Sequence, residues 1–287
     1  MRPSLLVSIM LMVAVMVPAM VHAECPSPER VAEAASVYFA NELAAAYTGL
    51  TVEDAYCAQR RYVALLERRL GPRGGYKVGF TSRVSQEMYG VKEPARGVMF
   101  RSMFLESGVV LNANFGKRPF READLVVKVK DEGINTARTL LEVARHLDEV
   151  IPFIELPNMV LAKGEPFNVP EAIAYNMAAR LGVVGRGITV QPTQEFVDAF
   201  AEMDVIMTND KGEELLRTKG SALMGNPLNV VLWLVENLRQ HGMELRAGDL
   251  ISLGRMGGFG QPQPGRTITL RYEGLPGGNS DVSVTFR

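Results

Sequence analysis

The sequence predicts an α+β protein, and three observations carry that reading. After an apolar leader, its 287 residues open with two helix-patterned stretches. From about residue 76 onward, short strand-like runs dominate. Helices interrupt those strands in no regular alternation, which argues for α+β and against a doubly wound parallel sheet.

The leader comes first. Met1-Arg2-Pro3-Ser4 precedes an apolar run from Leu5 to Met20, followed by Val21-His22-Ala23. A charged start, an apolar middle and a small residue at the end make residues 1–23 a secretory signal peptide, cleaved after Ala23. The rival reading is an uncleaved anchor, but the run is short for a membrane span and contains Pro18. The cleaved chain is therefore expected in the periplasm or outside the cell, with no stable membrane insertion. The two cysteines, Cys25 and Cys57, both lie beyond the cleavage point. In an oxidising compartment they either bridge or remain two thiols, since sequence does not report their Cα separation.

Residues 24–75 read as an N-terminal helical segment. A first helix is expected from Pro28 to about Tyr47, with Val31, Ala34, Ala35, Tyr38 and Leu43 on one apolar stripe. Thr51 and Asp54 form a capping-box pattern that opens a second helix, ending at Leu70 before Gly71. Residues 76–287 read as a β-rich catalytic domain. Its strands are expected at Tyr76–Phe80, Gly97–Phe104, Val109–Leu111, Asp124–Lys130 and Val150–Leu156, with a helix at Asn135–Leu147. Further helices are expected at Pro170–Leu181 and, capped by Thr193, at Glu195–Ala201. Val205–Thr208 and Glu214–Arg217 flank the turn Asn209-Asp210-Lys211-Gly212 as a hairpin. A helix from Pro227 to His241 has Asn226 as an N-cap type, proline at its first position and Gly242 as its stop. Strands Leu250–Leu253, Thr267–Tyr272 and Val282–Phe286 close the chain.

Charge is balanced, with a net charge of −1 and no clustered lysines and arginines, so a nucleic-acid footprint is absent from the sequence. The chemistry-bearing feature is acidic. In Arg121-Glu122-Ala123-Asp124, residues two apart share one face of a strand, so Glu122 and Asp124 point the same way. Glu155 sits alone in Ile151-Pro152-Phe153-Ile154-Glu155-Leu156, where a buried carboxylate needs a cation or a donor beside it. Three convergent carboxylates make an oxygen site for Mg²⁺ or Mn²⁺, whereas a surface E-x-D and a Glu155–Arg pair would be the structural alternative.

Several further pieces follow in order: Thr51-Val52-Glu53-Asp54-Ala55-Tyr56 with Gln59, Tyr76-Lys77-Val78-Gly79-Phe80, Gly90-Val91-Lys92-Glu93-Pro94, Gly225-Asn226-Pro227-Leu228 and Ala247-Gly248-Asp249-Leu250. Together with the acidic segments they resemble the fumarylacetoacetate hydrolase superfamily, in its 2-keto-4-pentenoate hydratase and 4-oxalocrotonate decarboxylase branch. The resemblance implies a mixed β-roll with flanking helices, assembled as a homo-oligomer. It also implies a divalent metal, Mg²⁺ or Mn²⁺, on Glu122, Asp124 and Glu155, with Lys77 as the strand lysine. Four positions depart from the family pattern. Ala95 stands where an Asp closes E-P-D, Asn158 where an Asp is common, Tyr175 where an Asp opens D-N-A-S, and Asn226 where a His sits in G-H-P.

The expected partner is a small 2-oxo or dienoic acid, bound to the metal through its carboxylate and C2 oxygen. Lys77 is the candidate for charge binding or proton transfer, and Glu93 for polarising water. Ser82, Asn226 and Arg255 are candidate substrate contacts, although Ser82 and Asn226 equally suit capping. The superfamily's C–C hydrolases resemble each other in a His–Glu pair, and here the only histidines are His22, His146 and His241, none at that position. A hydratase is thus the leading expectation, followed by a decarboxylase and by an exported, non-catalytic binding protein on the same fold.

Overall fold

The computed structural model describes residues 25–165 and 168–287; the expected signal peptide lies outside the described residues. Helix α1 (Pro28–Ala40) starts at Ser27, whose hydroxyl accepts from the Arg30 N–H at 3.2 Å. It ends earlier than the periodicity predicts because Asn41 turns left-handed, with φ +56°. Residues 44–47 lie outside any helix, and Ala44 bridges Leu161. Helix α2 (Val52–Leu70) carries the predicted Thr51–Asp54 capping box. A Cys25–Cys57 disulfide, with Cα atoms 5.5 Å apart, ties the chain ahead of α1 to α2.

The remainder alternates short elements. After α2 come β1 (Arg73–Gly79), α3 (Arg83–Tyr89), β2 (Ala95–Phe100), β3 (Phe104–Glu106), β4 (Val109–Leu111) and β5 (Arg121–Val129). Next are α4 (Leu140–Arg145), β6 (Leu147–Leu156), α5 (Val169–Ala174), β7 (Leu181–Val184), β8 (Ile188–Thr189) and α6 (Gln194–Glu202). The chain ends with β9 (Asp204–Asn209), β10 (Glu214–Lys219), α7 (Leu228–Gln240), β11 (Leu250–Ser252), β12 (Phe259–Gly260), β13 (Thr267–Glu273) and β14 (Ser280–Phe286).

Four expectations shift. Ser82 and Ser85 form a capping box that opens α3, where no helix is predicted. The helix expected over Asn135–Leu147 divides into a 3₁₀ turn at Glu132–Thr136 and α4, because Thr139 and Glu142 make a new capping box. The helix expected over Pro170–Leu181 stops at Ala174, since Asn176, Met177 and Ala178 take φ of +52°, +54° and +56°. The strand expected over Gly97–Phe104 starts at Ala95 and is broken by a 3₁₀ turn at Arg101–Met103.

Two sheets result. The larger runs β2-β1-β11-β5-β6-β7-β3, with β12 added on β5 and β8 on β6; the smaller runs β10-β9-β13-β14-β4. The fold is thus the mixed α+β arrangement of curled sheets that the sequence predicts. One apolar core unites it. Val31, Tyr38 and Tyr62 from the N-terminal helices share that core with Val126, Phe153 and Leu234. Among the described residues no helix is long and apolar enough to cross a membrane.

Candidate active site

Sheet register brings the acids together. β5 and β6 pair antiparallel with Glu122 opposite Glu155 and Asp124 opposite Phe153. Residues directly opposite one another on such a pair share a face, as do residues two apart, so all three carboxylates lie on one face of the sheet. β1 and β11 place Lys77 opposite Ser252, and β12 sets Phe259 beside Glu122.

Burial makes this convergence chemically loaded. Glu155 is 2% exposed, Lys77 5% and Asp124 0%. Lys77 Nζ donates to Glu155 Oε1 and, at 2.9 Å, to the Met177 carbonyl. Asp124 accepts from Ser252 Oγ at 2.6 Å, from the Gly254 N–H at 2.8 Å and from the Leu125 N–H at 2.6 Å. Arg255 Nε lies 3.9 Å from Glu122 Oε1. Burial, then the Glu155 charge, pushes Glu122 up to about 7 against the pull of Lys77 and Arg255. Burial and Glu155 likewise hold Asp124 well above the usual carboxylate range, against its hydrogen bonds from Ser252 and Leu125.

The backbone around Lys77 is strained for this purpose. Three successive non-glycine residues in the left-handed region, each costing about 1–2 kcal/mol, turn the Met177 carbonyl onto Lys77. Asn176 clamps that turn to β2, accepting from the Val98 N–H at 2.6 Å and donating to the Val98 carbonyl at 2.8 Å. Gly97 permits the approach, because a Cβ there would stand 2.7 Å from the Asn176 carbonyl oxygen. Gly254, with φ +107°, is required in the same way: a Cβ would meet the Val78 carbonyl oxygen at 2.6 Å.

Lys77, Glu122, Glu155 and Arg255 line a cleft of about 190 Å³. Phe80, Tyr89, Phe120, Met159 and Met177 supply its apolar walls. Of the residues the sequence nominated, four do not line it: Asp124, fully buried behind Ser252 and Gly254, and Glu93, Ser82 and Asn226. Glu93 is exposed on the bend before β2, outside the cleft wall, so nothing brings it to a reacting atom. Ser82 is spent as the α3 cap, accepting from the Ser85 N–H at 3.3 Å, and it is Ser85 that lines the cleft. Asn226 ties α6 to α7: its amide donates to the Val197 carbonyl at 2.8 Å and its carbonyl accepts from the Leu228 N–H at 2.9 Å.

Arg118 was missed. It lines the cleft from the loop before β5, and Asn158 holds that loop by accepting from the Arg118 N–H at 2.9 Å. Asn158 thus has a structural use at the position where the family pattern has Asp. Tyr175 likewise serves the core, donating to the Ala45 carbonyl at 2.5 Å and accepting from Arg30 at 3.1 Å. Ala95 is fully buried in β2.

Among the described residues, no group of three or more His, Cys, Asp or Glu side chains is already arranged to hold a metal ion. Glu155 is turned onto Lys77, and Asp124 onto Ser252 and Gly254. The donor set nonetheless fits a divalent cation: three hard oxygen ligands, two of them, Glu122 and Asp124, destabilised as anions by burial and by the Glu155 charge.

No family model matches the chain. Individual proteins do. It is 30% identical over 225 residues to the 2-oxo-hept-4-ene-1,7-dioate hydratase of Escherichia coli, covering 77% of this chain and 81% of that one. It is 26% identical over 233 residues to the 2-keto-4-pentenoate hydratase of Paraburkholderia xenovorans, covering 80% and 83% respectively. The 4-oxalocrotonate decarboxylase of Pseudomonas putida, solved with magnesium and adipate, superposes with a TM-score of 0.76 at 25% identity, covering 90% of this chain and 97% of that one. The carboxylate register, the lysine on β1 and these alignments converge: the chain belongs to the 2-keto-4-pentenoate hydratase and 4-oxalocrotonate decarboxylase branch of the fumarylacetoacetate hydrolase superfamily.

Proposed function

We propose that this protein is a divalent-metal-dependent hydro-lyase that adds water to a 2-hydroxy-2,4-dienoate, such as 2-hydroxypenta-2,4-dienoate, giving a 4-hydroxy-2-oxo acid. The observation that carries the reading is the register of Glu122 opposite Glu155 with Lys77 against them, at the base of a cleft of about 190 Å³. Mg²⁺ or Mn²⁺, held by Glu122, Asp124 and Glu155, would supply Lewis-acid stabilisation of charge developing on the substrate's C2 oxygen. Ser252 and the Gly254 N–H hold Asp124 in place for that role. Lys77 Nζ carries the cleft's buried positive charge and a proton to give. Arg255 and Arg118 offer guanidinium groups to a substrate carboxylate. Phe80, Phe120 and Phe259 keep bulk water from the diene.

Decarboxylation of a 2-oxo-3-enedioate is the second reading. Two cleft arginines favour it, since a dicarboxylate has a second charge to place, and so does the likeness to the adipate-bound decarboxylase. The Cys25–Cys57 disulfide supports an exported, oxidising location.

The test is incubation with 2-hydroxypenta-2,4-dienoate and Mg²⁺, following loss of the dienol absorbance and identifying the product by NMR. Chelator-sensitive formation of 4-hydroxy-2-oxopentanoate is the expected result. No turnover with metal bound would exclude this substrate. Carbon dioxide release from 2-oxo-3-hexenedioate would then establish the decarboxylase.

A further inference from the structure

A second and larger cavity, of about 500 Å³, opens on the other side of β1 and β2. Side chains alternate along a strand. Lys77, Val78 and Gly79 of β1 line the acidic cleft, whereas Tyr76, Gly74 and, across a bulge, Arg73 line this cavity. From β2 come Arg96, Val98 and Phe100, from α2 Gln59 and Arg60, and from the turn before β11 Arg246 and Asp249.

Five arginines line it: Arg60, Arg73, Arg96, Arg101 and Arg246. Against them stand two acids, Asp249 and Glu67. Asp249 is taken, 3.1 Å from an Arg73 terminal nitrogen and 2.9 Å from the Arg246 N–H. Glu67 is exposed, and no ion pair joins it to Arg60, Arg101 or Arg246.

Arg96 is the unusual member. It is 1% exposed and ranks among the largest fully buried side chains. Its partners are all neutral: Asn237 Oδ1 at 2.7 Å, Gln59 Oε1 at 3.0 Å and the Tyr56 ring, whose centroid is 4.6 Å from the guanidinium carbon. Its remaining terminal nitrogen is buried without a partner. A buried guanidinium normally meets a carboxylate, because an uncompensated interior charge is costly. Among the described residues none pairs with it, while the nearby Arg60 adds to the positive field. The cavity's volume is that of a small-molecule site.

We propose that this cavity binds a small multivalent oxyanion, held between the buried guanidinium of Arg96 and the exposed arginines Arg60, Arg101 and Arg246. Phosphate esters and dicarboxylates share the required chemistry, two or more anionic oxygens spaced for forked guanidinium donors. The site is independent of turnover at the acidic cleft.

The experiment uses the metal-free, disulfide-bonded chain. Inorganic phosphate and succinate are titrated separately, against chloride at matched ionic strength, by calorimetry and thermal shift. A saturable rise in Tm with either dianion, absent with chloride, is expected; the stronger of the two identifies the ligand as phosphorylated or carboxylic. The double variant Arg60→Ala/Arg246→Ala should weaken binding at least tenfold while keeping the wild-type Tm in chloride. Because Arg96→Gln risks unfolding, the exposed pair carries the test. Neither dianion exceeding chloride, or the double variant binding as well as wild type, would overturn the proposal; the second result would place the anion in the acidic cleft.

Discussion

The two faces of β1 carry opposite electrostatic problems. On the Lys77 face, three buried or half-buried carboxylates share one lysine, and two of them are held above their ordinary range. On the Tyr76 face, a buried arginine and its neighbours outnumber the acids, and the interior charge has only neutral partners. Neither imbalance stabilises the fold by itself, since charges in a low-dielectric interior are costly until compensated. Each therefore marks a place where a ligand of opposite sign would complete the charge set: a divalent cation on one face, an oxyanion on the other.

The largest expected effect comes from removing the lysine paired with Glu155 on the acidic face. Lys77→Met leaves Glu155 buried opposite Glu122 with no counter-charge. Turnover should fall by at least a hundredfold, and the metal-free protein should lose about 3–5 kcal/mol in denaturant unfolding. Adding Glu155→Gln to Lys77→Met should recover part of the stability and none of the activity. Equal stability losses for the single and the double variant would mean that the pair is not coupled.

A smaller effect should appear with pH. Glu122 titrates near 7 in the folded protein and near 4.5 unfolded. The unfolded chain gives up its proton first, so this group's contribution is present below pH 4.5 and is lost as pH rises towards 7. Across that window the metal-free protein should lose about 3 kcal/mol from this group. Glu122→Gln should flatten the profile, and saturating Mg²⁺ should flatten it too, because bound metal favours the ionised carboxylate. Parallel Tm profiles with and without Mg²⁺ would show that Glu122 does not face the metal.

On the basic face, Arg96→Met should cost less than Lys77→Met. It removes a buried charge that has no carboxylate to abandon, but it strands Gln59 Oε1 and Asn237 Oδ1. A loss of about 1–3 kcal/mol is expected from those acceptors. A loss as large as that of Lys77→Met would mean that the guanidinium is a structural keystone.

How much of this was legible in the sequence differs between the faces. Glu122 and Asp124 could be read together because strand periodicity fixes which side chains share a face, and Glu155 stood out among apolar neighbours, whereas Lys77 was marked only by the family resemblance. The Thr51 and Thr193 caps could be read because a hydroxyl before a helical pattern has a local partner. The Met177 carbonyl that holds Lys77 could not, since every residue has a carbonyl and three successive left-handed non-glycines carry no sequence mark. Arg118 and Arg96 were also silent. Each is an ordinary arginine until distant residues, Asn158 for one and Asn237 for the other, fix its surroundings. Of the cleft's arginines only Arg255 was nominated as a substrate contact, and it does line the cleft. Ser82 and Asn226 take the other role open to them in the sequence: short polar residues near motifs serve the backbone readily, here as cap and tie.

That last point is testable at the small end of the scale. Ser82 caps α3, and α3 carries Ser85 and Tyr89 into the cleft wall. If the hydroxyl serves only the helix, Ser82→Ala should cost about 1 kcal/mol of stability and change KM less than threefold. If it touched substrate, KM would rise with little change in Tm, because a lost substrate contact leaves the free protein as it was. Ser82→Asp separates the two further. An aspartate remains a good N-cap and should restore Tm, yet its charge, next to Ser85 of a cleft wall already rich in carboxylates, should weaken binding of an anionic acid. Restored Tm with a higher KM would therefore place Ser82 near the substrate's path without making it a contact, whereas restored Tm with unchanged KM would confine it to the cap.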